Sequence, residues 1–260
     1  MSEEPTPYVV RLDRSLKPAD AFQQLVDLPH ALFFDSALEG VGGGRYSFVA
    51  ADPYQWIESP AGEAAVYDQI VAAAATQRVP TRLDLPPFQG GLAGLWGYEL
   101  GRLWEPVAAA RYDDLPTPCL AMGWYDVVLA FDHQTGDGWL ISQGFPESHP
   151  DKRRRRAEQR GEQMLARLTR PRPAPSVTPR RQPAEQLAPQ YDVGLAGVTS
   201  DLAPDAYRDM VRRGIEYIRA GDVFQVNLSQ RLLCPARCSS PELYLRLRSR
   251  NPAPYAGYLD

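Results

Sequence analysis

The sequence predicts an α+β fold, a strand-rich first domain followed by a helix–strand–helix segment. Three observations predict it. Residues 1–145 favour short stretches that alternate apolar and polar side chains. Helical periodicity is longest at Asp151–Leu168 and again after Asp201. Between them, Thr169–Pro189 carries six prolines and few apolar residues, the composition of a linker. The expected organisation is therefore 1–145, a charged helix and proline-rich linker over 146–198, and a further domain opening at 199–260. The 260 residues allow one large or two modest domains.

The elements follow in order. Asp13–Leu28 is expected to be a helix, with Phe22, Leu25 and Val26 on one face and Pro18 in its first turn. Ala31–Phe34 is a short apolar strand, and Gly40–Gly44 a bend. In RYSFVAAD, Tyr46, Phe48 and Ala50 face one way and Arg45, Ser47 and Val49 the other, the pattern of a half-buried strand. Trp56–Glu58 and Ala64–Tyr67 suggest a hairpin, and Asp68–Thr76 a helix. Glycine density in FQGGLAGLWGYELG, 88–101, signals bulges or close backbone approach. Trp124–Asp132 and Gly138–Gln143 flank QTGDG as a hairpin. The Arg153–Arg156 run reads as a solvated helical face.

After the linker, Leu202-Ala203-Pro204 opens a helix with Asp201 as a candidate cap. Its apolar stripe is Tyr207, Met210, Val211, Ile215 and Ile218, and Gly221 ends it. Val223–Leu232 reads as a strand with Gln225, Asn227 and Ser229 on one face. That polar row fits either a hydrogen-bonding cleft or the solvent face of an edge strand. Ser239-Ser240-Pro241-Glu242 is a capping box for a helix to about Arg250, and Tyr255–Asp260 begins another strand.

Composition excludes several functions. Net charge is −4, which does not favour nucleic acid. No apolar run reaches a membrane span. The acidic N-terminus is unlike a secretory signal, and three cysteines (119, 234, 238) suit a reducing cytoplasm. Cys234 and Cys238 lack a second metal-ligating pair. No P-loop, dinucleotide fingerprint, G-x-S-x-G elbow or Ser–His–Asp set can be assembled.

One long stretch carries more. AGDVFQVNLSQRLL at Ala220–Leu233, a helix on either side, and NPAPYAGYL at 251–259 resemble the start of the chorismate-binding domain of the anthranilate synthase component I family. FQGGLAGLWGYELG with Glu105, and FFDSA followed by RYSFVAADP, resemble that family's N-terminal domain. Asn227, Ala253, Ala256 and DVVLAFDH are more similar to the aminodeoxychorismate branch, para-aminobenzoate and folate synthesis, than to the anthranilate branch of tryptophan synthesis.

The resemblance implies a transferase that replaces the C4 hydroxyl of chorismate with ammonia, delivered by a glutamine amidotransferase component II. It also implies Mg2+, held by carboxylates, as the cofactor that anchors a substrate carboxylate, with acid assistance and charge stabilisation for the poor hydroxyl leaving group. In that branch a P-I-K-G-T lysine and an S-P-E-R segment do the chemistry. Neither occurs here, so the chain is expected to be the truncated front portion of such an enzyme. Catalytic residues and metal ligands are expected downstream of Asp260, and the chain alone is expected to be inactive. Glu58-Ser59-Pro60-Ala61, a near match, reads as a turn. A non-catalytic tryptophan-binding or partner-docking module is the alternative. The resemblance also implies a tryptophan pocket from Ser36, Gly43, Gly44, Arg45, Tyr46, Pro254, Tyr255 and Ala256. Tyr46 and Tyr255 would hold the indole, and Ser36 would meet the zwitterion. Gly43 and Gly44 replace bulkier residues of tryptophan binders, which implies a roomier pocket.

Overall fold

A computed structural model describes residues 6–38, 43–77, 81–115, 117–171 and 183–260. Its elements in chain order are β1 Tyr8–Arg11, α1 Pro18–Leu25, β2 Leu32–Asp35, β3 Tyr46–Ala50, β4 Gln55–Ser59, α2 Ala64–Thr76 and β5 Gly91–Trp96. There follow β6 Leu120–Tyr125, β7 Val127–Asp132, β8 Asp137–Ser142, α3 Pro150–Leu168, β9 Tyr191–Asp192, β10 Thr199–Ser200, α4 Pro204–Ala220, β11 Leu232–Leu233, α5 Ser240–Arg250 and β12 Ala256–Leu259. The architecture is mixed α and β with antiparallel sheets, as the α+β reading expects. Two compact units form: 1–107 with 117–178 and 239–260, and 108–116 with 179–238.

The first unit is built on a six-stranded sheet, β1-β8-β7-β3-β2-β12, and a three-stranded sheet, β4-β6-β5. Asp126 separates β6 from β7, so one continuous run of chain leaves the small sheet and enters the large one. Leu32, Phe48, Ala50 and Val128 of the large sheet pack with Ala93 and Tyr125 of the small one. On its other face, Phe33, Val49, Val127 and Leu129 pack with Phe22 and Leu25 of α1 and Met164 of α3. α2 covers the small sheet through Ile70, against Leu120 and Met122. Apolar burial on both faces explains why β3 is almost wholly buried and not half-buried as its alternation suggests.

Glycine lets the small sheet close. Gly94 lies at φ +156, and a Cβ there would overlap the Ala121 carbonyl of the neighbouring strand. The close approach expected from FQGGLAGLWG is thus realised.

Several expectations are corrected. α1 starts at Pro18, because the Asp13 carboxylate accepts the Ser15 N–H (2.7 Å) in a local turn that competes with helix. The Trp56–Tyr67 hairpin does not form: β4 pairs with β6, and alanine-rich 64–76 is helix throughout. The Arg153–Arg156 run is only partly a solvated face. Arg154 and Arg155 are exposed, but Arg153 is buried, with its guanidinium 3.9 Å from the Phe145 ring and Nε donating to the Gln143 carbonyl (2.8 Å). Arg156 donates to the Phe145 carbonyl (2.8 Å). One turn on, Arg160 donates to Asp52 and to buried Asp126. The helical period turns Arg153, Arg156 and Arg160, spaced three and four positions apart, inward, where each finds an acceptor.

The second unit holds the sheet β11-β10-β9 and α4. Arg231 donates to both Asp114 oxygens (2.6 and 2.7 Å). Asp201 does not cap α4; its carboxylate accepts the Arg231 N–H instead (2.9 Å). The strand expected at Val223–Leu232 is confined to its end, β11. A strand needs a neighbour's N–H and C=O groups, and among the described residues none pairs with 223–230; only Arg231 does, its carbonyl accepting the Asp201 N–H (3.1 Å). Ile215, Ile218, Val223 and Phe224 are exposed. The Gly40–Gly42 part of the bend and residues 172–182 of the linker lie outside the described residues.

Phe22 is fully buried and meets the rings of Phe33, Tyr244 and Tyr258 at centroid distances of 5.2, 6.1 and 5.0 Å. Phe22→Ala is expected to lower stability by about 3–5 kcal/mol in urea unfolding followed by tryptophan fluorescence.

Candidate functional site

Where the edge of the large sheet faces β5, the first unit leaves a cavity of about 900 Å³. That is the size of a small-molecule site. Its wall from the large sheet is Phe34, Tyr46 and Phe48, and from the small sheet Leu92, Ala93 and Trp96. Phe88 closes it, 5.7 Å from Phe48 and 6.0 Å from Phe34 between ring centroids. Asp35, Ser36, Gly43, Arg45, Tyr255 and Ala256 form the polar side and rim.

All eight residues expected from the resemblance come together here. Six line the cavity, and Gly44 and Pro254 lie directly behind it in contact. The juxtaposition comes from β12, which pairs antiparallel with β2 and sets Ala256 opposite Asp35. The Leu38 N–H donates to the Ala253 carbonyl (3.0 Å), tying the two segments beyond the strands.

The roles differ from those expected. Ser36 Oγ already donates to the Tyr46 carbonyl (2.7 Å), and the Ser36 N–H donates to Ser47 Oγ (3.0 Å), so its hydroxyl can offer a ligand only lone pairs. Arg45 is held by Asp132 through Nε and Nη2 (2.7–3.1 Å), and its guanidinium lies 4.8 Å from the Tyr46 ring centre. Nor do the glycines leave extra room. A Cβ on Gly43 would stand 2.7 Å from the Tyr255 hydroxyl, and one on Gly44 3.0–3.1 Å from Pro254. The volume given up by Gly43 and Gly44 is filled by the 254–255 segment.

Asp35, which stands beside Ser36 in the FFDSA match to the pocket, was given no role of its own by sequence reading. Its side chain is fully buried, yet it lies at the cavity. Oδ2 accepts from Arg248 Nε (2.6 Å) and the Tyr244 hydroxyl (3.1 Å); Oδ1 accepts from Arg248 Nη2 (3.2 Å) and Ser47 Oγ (3.3 Å). Ser47 also shares a 2.7 Å hydrogen bond with His133 Nε2. Burial, and after it the Asp35 charge, push the Tyr244 hydroxyl well above its ordinary value. The aromatic floor of Phe34, Phe48, Phe88 and Trp96 was also missed, although the alternation in Phe33-Phe34 and Tyr46–Phe48 held the signal for part of it.

The other candidates do not assemble. Gln225, Asn227 and Ser229 belong to the second unit, where the Gln225 amide donates to Asn227 (3.3 Å). Glu58–Ala61 is only half the turn expected: Glu58 and Ser59 end β4, paired with Ala121 and Leu120, and the bend is Pro60-Ala61, after which Ser59 Oγ accepts the Gly62 and Glu63 N–H groups (3.0 and 3.1 Å) ahead of α2. Among the described residues no group of three or more His, Cys, Asp or Glu could hold a metal ion. The described residues therefore do not fit the implied Mg2+, and no step is derived through it. No helix among them is long and apolar enough to cross a membrane.

A family model described as chorismate binding enzyme matches residues 33–260. This chain belongs to the chorismate-binding enzyme family. Within that family it is 35% identical to anthranilate synthase component 1 of Streptomyces coelicolor over 96% of this chain and 47% of that protein. Anthranilate synthase component 1 of Thermus thermophilus is 37% identical over 75% of this chain and 37% of that protein. Aminodeoxychorismate synthase component 1 of Escherichia coli is 28% identical over 92% and 49%. The crystal structure of anthranilate synthase component I from Streptococcus pneumoniae superposes with a TM-score of 0.61 at 24% identity, covering 83% of this chain and 47% of that one, which establishes a shared fold. The chain spans about half the length, or less, of the chorismate-binding relatives it matches.

The Arg45–Asp132 pair at the rim carries a pH signature. Burial would raise the Asp132 carboxyl, but the Arg45 guanidinium and the Gln134 and Thr135 N–H groups together hold it below its ordinary value. A depressed carboxyl contributes stability above its unfolded value, lost as pH falls through the folded one. Asp132→Asn is therefore expected to be less stable than the wild type by a constant margin at pH 5–8. The margin should close below about pH 4, as urea midpoints at each pH will show.

Proposed function

We propose that this chain is part of component I of an aminodeoxychorismate synthase, and that its cavity holds tryptophan or a closely related aromatic amino acid. The observation that carries the proposal is the cavity itself. In a member of the chorismate-binding family, aromatic rings and two paired charges from β2, β3, β5 and the 254–256 segment surround one space. Tyr46 and Tyr255 offer faces for an indole, and Phe34, Phe48 and Phe88 an apolar floor. Arg45 keeps Nη1 for a carboxylate, since Nε and Nη2 are engaged by Asp132.

The reaction proposed for the whole enzyme is replacement of the chorismate C4 hydroxyl by ammonia, giving 4-amino-4-deoxychorismate for folate synthesis. Glutamine, through an amidotransferase component II, supplies the ammonia in the cytoplasm. Relatives named component 1 support the two-component reading. Asn227, Ala253 and Ala256 support the aminodeoxychorismate product. The higher identity to two anthranilate synthase components favours anthranilate as the second reading. Disruption of the gene separates them: a requirement for para-aminobenzoate is expected, and a requirement for tryptophan would establish the second.

The pocket is tested by titration calorimetry of the chain. Tryptophan is expected to bind more tightly than phenylalanine, and Tyr255→Ala to weaken it about tenfold, roughly 1.4 kcal/mol. Absence of heat with either amino acid would remove the pocket from the proposal. Chorismate and ammonium together should give no turnover with this chain alone, which carries neither the P-I-K-G-T nor the S-P-E-R motif. Product formation would contradict that.

A further inference from the structure

We propose that Asp35 is a positioning residue of the cavity: its carboxylate is committed to Arg248 and Tyr244 of α5, and through that helix it sets where Pro254, Tyr255 and Ala256 stand. The ligand consequence rests on reading the cavity as an aromatic amino-acid site; the positioning does not.

A carboxylate at the wall of such a cavity would ordinarily be assigned to the ligand's ammonium group. The geometry points elsewhere. A carboxylate has about four lone-pair sites, and Asp35 fills them with Arg248 Nε and Nη2, the Tyr244 hydroxyl and Ser47 Oγ. Its side chain is fully buried and its charge is opposed by the Arg248 fork. Little is left for an ammonium ion to find.

Three of those four donors come from α5. The helix is held near its start by rings: Tyr244 packs on Phe22, Phe33 and Tyr258. Arg248 lies in its last turn, just ahead of the Asn251–Pro254 break that leads to the cavity wall. The ion pair therefore fixes the end of α5 from which that wall departs. The wall has little tolerance for displacement, because the Tyr255 hydroxyl fills the space beside Gly43, and Pro254 that beside Gly44.

The test uses two readouts. In hydrogen exchange without ligand, Asp35→Asn and Arg248→Met should each speed exchange of the 255–259 amides about tenfold while the β7–β8 amides keep their protection. Unchanged exchange at 255–259 overturns the proposal. In calorimetry, both variants should weaken tryptophan binding about tenfold, and the double variant no further, because each removes the same connection. A direct Asp35–ammonium contact gives the opposite sign for Arg248→Met: it frees the carboxylate, and binding tightens or holds. That result overturns the proposal. If the wild type binds no tryptophan, the pocket reading fails and exchange alone decides the positioning claim. Should Asp35→Asn not fold, Arg248→Lys, which keeps the charge but loses the fork, must show an intermediate exchange rate; wild-type exchange would count against the proposal.

Discussion

The antiparallel pairing of Leu32–Asp35 with Ala256–Leu259 joins segments from opposite ends of the chain, and the candidate site depends on it. Without that ladder, Tyr255 and Ala256 would not face Tyr46, and the cavity would lack one wall. The ladder makes β12 the last strand of the large sheet and brings α5 onto the α1 face through Tyr244 and Leu245. Backbone pairing fixes register there, and the Asp35–Arg248 pair fixes the helix behind it. Two charged residues 213 positions apart thereby share one geometry.

Charge is balanced locally around the cavity. Asp35 opposes Arg248, and Arg45 opposes Asp132. Such pairs supply orientation more dependably than net stability, because desolvation offsets much of their attraction. A zwitterionic amino acid has the same balance, and its two charges can meet dipoles and one spare guanidinium nitrogen without disturbing either pair. For the amino acid proposed above, the aromatic floor would supply the apolar part of recognition.

Much of this was legible in the sequence where the signal was local. A short apolar run located β2, period-two alternation β3, and the QTGDG loop β7 and β8; Ser239 and Glu242 marked the start of α5, where Ser239 Oγ accepts the Glu242 N–H (3.4 Å). Glycine spacing in 88–101 announced the close strand approach at Gly94. The family resemblance brought the eight pocket residues together in advance, although spacing alone could not. What was not legible depended on distant partners. Asp35 carried no role of its own in the sequence because the groups that fill most of its acceptor sites come from α5. Gly43 and Gly44 suggested empty space because the chain that fills it, Pro254–Tyr255, is remote in sequence. The Arg153–Arg156 run looked uniformly solvated because carbonyls at Gln143 and Phe145 cannot be anticipated from charge. Val223–Leu232 carried the alternation of a strand, but alternation describes one chain and pairing needs two.

The most direct test of the cavity as an amino-acid site is a crystal structure of this chain grown with tryptophan. The expected result is an indole between the Tyr46 and Tyr255 side chains, its carboxylate within hydrogen-bonding reach of Arg45, and Asp35 still bound to Arg248. A cavity without tryptophan in crystals soaked at saturating concentration, or tryptophan bound elsewhere on the chain, would contradict it.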